Sequence, residues 1–358
     1  MAPFPHFHCI LPLMLLLHPR ASLSAASSSG SSDCTLFAVN GSSSAAAAYF
    51  THYRFYDFRN VTNPRSPPAG QSSGLAASHT TNDSSWLLDW SPRNQARGAA
   101  NRMSIPVNYL PQNVFISPAN ESSADYVSYL TLATSRLKND TQSAAEIIFL
   151  PSTNVVHVSL RVFARVSGAP GAVAGIFTYN SDESESDIEI LTRDPISQVR
   201  YSNQPTTDPN TGAPIAGATI NATIPSGNWQ EWNVHRLDWL PGQTAGWADG
   251  SRLHTSTVNV QNGTAGSQVI LDMWGNGGLW SGNMDVGGRA IMEVQWIEMA
   301  FNVSGGAAGP GGTVCDIDKG VGSPVPAVSG CAGSGLGSHT WAMIYLTVVS
   351  MLWLASEL

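Results

Sequence analysis

The chain has 358 residues, 42% of them hydrophobic and only 12% charged, against roughly 25% charged in an ordinary soluble protein. Its formal charge of −8 leaves no basic surface to hold a phosphate backbone, which excludes nucleic acid as a partner. Thirty-three glycines and 22 prolines mark a turn-rich chain, and 11 Trp, 11 Phe and 9 Tyr supply a packed core.

Residues 1–26 read as a secretory signal: the apolar run Cys9–Leu17 is followed by small residues, with Ser24-Ala25-Ala26 a cleavage site. Residues 27–48 are Ser/Ala-rich and read as a leader. The body is expected over 49–303. Alternating Tyr53–Phe58 reads as its first strand. Strict period two over Val155–Val166 puts Val156, Val158, Leu160, Val162, Ala164 and Val166 on one face of a half-buried antiparallel strand. Further strands are expected at Ala172–Tyr179, Glu185–Leu191, Trp232–Trp239, Gly246–Asp249, Gln268–Met273 and Ala290–Phe301, parted by turn signals such as Pro241-Gly242 and Asp249-Gly250. No stretch reads as a helix of ten residues. The fold class is therefore all-β, a sandwich or jelly roll.

Residues 304–330 read as a Gly/Pro-rich linker. Residues 331–358 read as a lipid-anchor (GPI) signal: small residues and a short spacer precede the apolar run Trp341–Ala355, with Ser329, Gly330, Gly333 or Ser334 as the cleavage residue. The membrane partner follows from this anchor, and the expected location is the outer face of the plasma membrane or the cell wall. If the tail is cut before Cys331, Cys34 and Cys315 remain as a pair bracketing the body; if Cys331 is retained, Cys315–Cys331 competes. Eight glycosylation sequons start at Asn40, Asn60, Asn82, Asn120, Asn139, Asn221, Asn262 and Asn302, as suits an extracytoplasmic chain. No His/Cys cluster has zinc spacing and no phosphate loop occurs, so neither metal nor cofactor is expected, and a monomer is.

The sharpest chemical feature is Glu183-Ser184-Glu185-Ser186-Asp187-Ile188-Glu189. In a strand, Glu185, Asp187 and Glu189 share one face. Three adjacent carboxylates resist ionising together, so one stays protonated while another is a carboxylate. Cleavage of a glycosidic bond requires that division: an acid for the leaving oxygen and a nucleophile for the anomeric carbon. Glu183 offers a shifted register on the same face.

The segment ESDIEIL resembles the E-x-D-x-E active-site strand of glycoside hydrolase family 16, closest to its fungal secreted or GPI-anchored β-glucanase-like members. The resemblance extends in order over roughly residues 50 to 302, through Val173–Tyr179, His235-Arg236-Leu237-Asp238-Trp239-Leu240-Pro241, Trp247-Ala248-Asp249-Gly250, Leu271–Trp274 and Trp280. It implies a jelly roll of two curved antiparallel sheets, concanavalin A-like, and a retaining enzyme acting on β-glucan polysaccharide or oligosaccharide, as an endo-β-1,3 or β-1,3/1,4-glucanase. A wall transglycosidase or a non-catalytic carbohydrate-binding jelly roll are the alternatives. Glu185 would be the nucleophile, Asp187 the assisting acid and Glu189 the general acid/base. This chain has Ser186 where many members carry an apolar residue, and Ser184 where an acid is common. Sugar faces stack on flat rings, so Trp274, Trp280 and Trp247 are candidate platforms. His235, Tyr201 and Asn203 are further candidates for binding substrate.

Overall fold

The computed structural model describes residues 34–40, 47–61, 89–119, 125–150, 154–305 and 312–327. The signal, the terminal apolar run, Cys331, Asn82 and Asn120 lie outside the described residues. In chain order the strands are β1 (Cys34–Val39), β2 (Ala48–Phe50), β3 (His52–Asp57), β4 (Trp90–Pro92), β5 (Gln95–Arg97), β6 (Val107–Tyr109) and β7 (Val114–Pro118). There follow β8 (Ser128–Arg136), β9 (Gln142–Phe149), β10 (Val155–Gly168), β11 (Val173–Ser181), β12 (Ser184–Leu191), β13 (Gln198–Asn203) and β14 (Thr219–Thr223). The last are β15 (Asn233–Leu240), β16 (Gln243–Ala248), β17 (Ser251–Ser256), β18 (Gln268–Trp274), β19 (Arg289–Val303), β20 (Thr313–Asp316) and β21 (Val325–Pro326).

These strands form a jelly roll. The front sheet runs β4–β9–β18–β11–β12–β13–β14, every neighbour antiparallel. The back sheet runs β17–β16–β15–β10–β19, and β19 pairs with β3 along its second half and β8 along its first. Strand β9 joins the two sheets at one edge, pairing with β8 at Gln142 and Ser143 and with β18 from Ala145 to Ile148. Between the sheets lies one apolar core. From β10 it takes Val155, Val158, Leu160, Val162, Ala164 and Val166. Period two marks out this face from Val158 onward, but not Val156, because a register shift between Val155 and Val158 turns Val155 to the core instead. From β15 it takes Leu237 and Trp239, and from β12 Ile188 and Ile190.

The expected leader and linker are corrected in part. Within 27–48 lies β1, within 304–330 lie β20 and β21, and these form with β2 a small sheet in the order β2–β1–β20–β21. Strands β1 and β20 run parallel, and a disulfide joins Cys34 to Cys315 with a Cα–Cα distance of 5.7 Å. Val39, Phe50 and Ile317 pack with Ala300 on the outer face of the back sheet. Around this apolar seam, Arg161 bonds Glu298, the Ile317 carbonyl and Asp318, while Arg236 bonds Asp238 and Asn40. Composition suggested loose ends because Ser and Ala carry little apolar area, but backbone pairing and a few well-placed apolar side chains suffice here.

Candidate active site

Strand β12 sends Ile188 and Ile190 into the core, so its alternate residues Glu185, Asp187 and Glu189 line the open face of the front sheet. Glu183 is exposed in the turn before β12, which leaves Glu185 as the first acid of the row on the strand. Pairing across the sheet sets Glu189 opposite Gly175 on one side and opposite Arg200 on the other. The same transverse line continues from Gly175 to Asp272 and Glu146. Gly175 is there for space: a Cβ at its position would lie 2.5 Å from Asp272 Oδ1. The Asp272 carboxyl therefore leans over the glycine toward β12.

Glu185 and Asp187 share a hydrogen bond. Burial, and then the charges of Glu185 and Glu189, push the Asp187 carboxyl well up, which favours the protonated form that can donate to Glu185. Burial also pushes Glu185 up to about 7, and the bond accepted from Asp187 opposes the rise. Glu189 is pushed up to about 7, again by burial, while Trp280 Nε1 donates to its Oε1 at 2.8 Å and stabilises the carboxylate. Arg200 lies over the Trp280 ring, 4.7 Å from its centroid, and is itself held by Asp194. Asp272 is pushed well up by burial and by Glu146, Glu189 and Glu185, and its buried Oδ1 has no hydrogen-bond partner.

Beside Glu185 opens a cavity of about 200 Å³, lined by Arg93, Arg97, Tyr109, Glu146, Phe177, Tyr179, Asp182, Ile270, Asp272 and Trp274. Arg93 bonds the Glu146 carboxylate, and Arg97 lies over the Tyr109 ring. The half-buried Trp274 packs on Val107, Tyr109 and Ala144 and presents a ring to this cavity. Near neutral pH the site thus combines a carboxylate, a protonated carboxyl and a flat apolar ring along one cleft.

The structure brings together Glu185, Asp187, Glu189, Trp274 and Trp280. It does not bring in four of the residues expected to bind substrate. His235 is fully buried on the core side of β15, and burial lowers it to about 4, so its ring is neutral and far from solvent. Tyr201 and Asn203 lie on the core face of β13, opposite Ile188 and Ser186. Tyr201 reaches toward β16, and Asn203 donates to Thr244 Oγ1 and the Val258 carbonyl. Trp247 sits opposite Arg236 on the outer face of the back sheet, between the Arg236 and Arg252 guanidiniums. Period two says that Tyr201 and Asn203 share a face; only the pairing with β12 says which one.

Other residues enter the site without having been expected: Asp272, Glu146, Arg93, Arg97, Tyr109 and Arg200. Asp272 had a signal, since its spacing of two from Trp274 puts both on one face of a strand. The rest had none: Arg97 and Tyr109 sit on the three-residue strands β5 and β6, Arg93 in the link before β5, Glu146 on β9 and Arg200 on β13. Ser186 also finds a setting: it is buried in a line with Thr178 and Asn203. Thr178 there donates to Gln261, so this part of the core is polar rather than apolar.

No family model and no characterised sequence matches the chain. Solved structures do. An endo-β-1,3-glucanase from Pyrococcus furiosus is 14% identical, with 75% of this chain and 99% of that chain covered and a TM-score of 0.48. A Bacillus licheniformis β-glucanase is 17% identical, covering 59% of this chain and 92% of its own, with a TM-score of 0.44. The catalytic domain of an endo-1,3-β-glucanase (laminarinase) from Thermotoga petrophila RKU-1 is 15% identical, covering 60% and 92%, with a TM-score of 0.43.

Proposed function

We propose that this chain is a retaining glycoside hydrolase of the family 16 kind, acting on β-glucan at a fungal cell wall. The observation that carries the reading is the row Glu185, Asp187 and Glu189 on one open strand face, with Asp187 hydrogen-bonded to Glu185 and Glu189 held by Trp280. Glu185 attacks the anomeric carbon as a carboxylate, and the Asp187 proton steadies it. Glu189 delivers its proton to the glycosidic oxygen as that bond breaks. In the second step Glu189 takes a proton from the acceptor, whose oxygen displaces Glu185, so two inversions retain configuration. With water as acceptor the outcome is hydrolysis; with another glycan it is transfer. Trp274 stacks on a sugar face beside the acids. The chain would act outside the cell, held by a C-terminal lipid anchor, a reading that the masses of the mature ends test.

Two variants separate an enzyme from a carbohydrate-binding module of the same fold. Glu185→Ala should lose nearly all turnover and still bind oligosaccharide. Azide, occupying the vacated space, should convert an activated β-glycoside into the α-glycosyl azide. Glu189→Ala keeps the nucleophile, so azide enters at the second step and should give the β-glycosyl azide. Wild-type activity in both variants would refute the triad assignment, and reversed anomers would exchange the two roles.

A further inference from the structure

We infer that Asn221 carries an N-linked glycan which stands at the β13–β14 end of the cleft and limits how far a glucan chain extends past Arg200. The inference rests on the reading above that the chain is secreted and acts on glucan.

Asn221-Ala222-Thr223 is a complete sequon on β14, which pairs with β13 and, among the described residues, with no other strand in register. Ile220 and Ala222 pack against the core, so Asn221 and Thr223 point to the opposite face, and both are exposed. Asn221 lies directly opposite Arg200, which lies directly opposite Glu189. Residues so paired share a face, and strands stand about 4.8 Å apart, so Asn221 is displaced from the proposed acid/base by about 10 Å across the sheet.

The other described sequons differ. Asn40, Asn60, Asn139 and Asn262 lie outside the strands, and Asn302 is on β19 of the back sheet. The amides of Asn40 and Asn302 are engaged, the first by Arg236 and the second by Thr51 and the Tyr49 carbonyl. Among the described residues, Asn221 is thus the sequon asparagine on the front sheet, exposed on the face that carries Arg200 and Glu189. In the modification, the Asn221 amide nitrogen gives up one proton and bonds to C1 of an oligosaccharide carried on a lipid diphosphate. The bond from C1 to that diphosphate breaks, and the diphosphate leaves with its electron pair. A branched hydrophilic chain then projects from the sheet next to Arg200 and Trp280.

The full chain, secreted from a eukaryotic host, tests this. Peptide mass spectrometry should find Asn221 occupied. Hydroxyl-radical footprinting should then show Trp280 labelling rising about threefold in Asn221→Gln, with Trp274 unchanged, because the glycan shields one end of the cleft only. The kcat/KM on long β-glucan should rise about fivefold while that on a small aryl β-glycoside stays within about twofold. Thr223→Ala, which removes the same sequon and keeps the asparagine, must reproduce both effects, and Asn139→Gln must reproduce neither. An unoccupied Asn221, or Trp280 labelling equal in wild type and both sequon variants, would overturn the inference. Absence of glucan activity in the wild type would instead strike at the proposed function, and leave the occupancy and footprinting results to stand or fall alone.

Discussion

Trp280 holds Glu189 through a single N–H, and that bond sets the balance of the site. A donor to the carboxylate favours the ionised form, so Trp280 keeps Glu189 lower than burial alone would. Trp280→Phe removes the donor and leaves a ring under Arg200. The Glu189 value then rises from about 7, and the group stays protonated, and so able to act as acid, to higher pH. The alkaline limb of kcat/KM should therefore move upward, by about one pH unit, while the acid limb, which follows ionisation of Glu185, stays nearly in place. An alkaline limb that stays put or moves down would show that Trp280 does not act through Glu189. The acids of β12 were legible in the sequence because their spacing of two is itself the strand period. How they meet their partners was not: only pairing register, which links residues far apart in the chain, sets Gly175 and Arg200 opposite Glu189 and Asp272 opposite Gly175.

Whole strands divide in the same way. Strand β10 was readable because one face is apolar throughout. Strands β8 and β9 were not, because Ser128, Thr131, Thr134, Gln142 and Ser143 are buried alongside the apolar residues and erase the alternation. The two sheets also meet by a device that composition hides. Tyr201 of β13 fills the place a side chain would take at Gly246 of β16, where a Cβ would lie 2.1 Å from the ring. The ring cannot swing away without leaving the core it belongs to. Gly246→Ala should therefore destabilise the fold by about 1–3 kcal/mol in urea unfolding, with kcat nearly unchanged below the transition, since neither residue lines the cleft. Unchanged stability would mean that the sheets can part at that point without cost.

At the scale of the molecule, the fold class was legible and the ends were only half so. Small residues at 27–48 and 304–330 hid strands that close the chain on itself. The signal and anchor readings concern residues outside that closure. The mature protein is expected to begin near residue 27 and to yield no peptide from Trp341 to Leu358; recovery of that stretch by mass spectrometry would rule out removal of the tail.

Cys34, ahead of the jelly roll in the chain, is bonded to Cys315 behind it, 281 residues later, beside a parallel pairing of β1 with β20. That arrangement has a mechanical meaning. Tension between the two ends passes through one covalent bond and a short zipper of parallel strands. The jelly roll carrying the cleft hangs off this line as a side loop and bears almost none of the load.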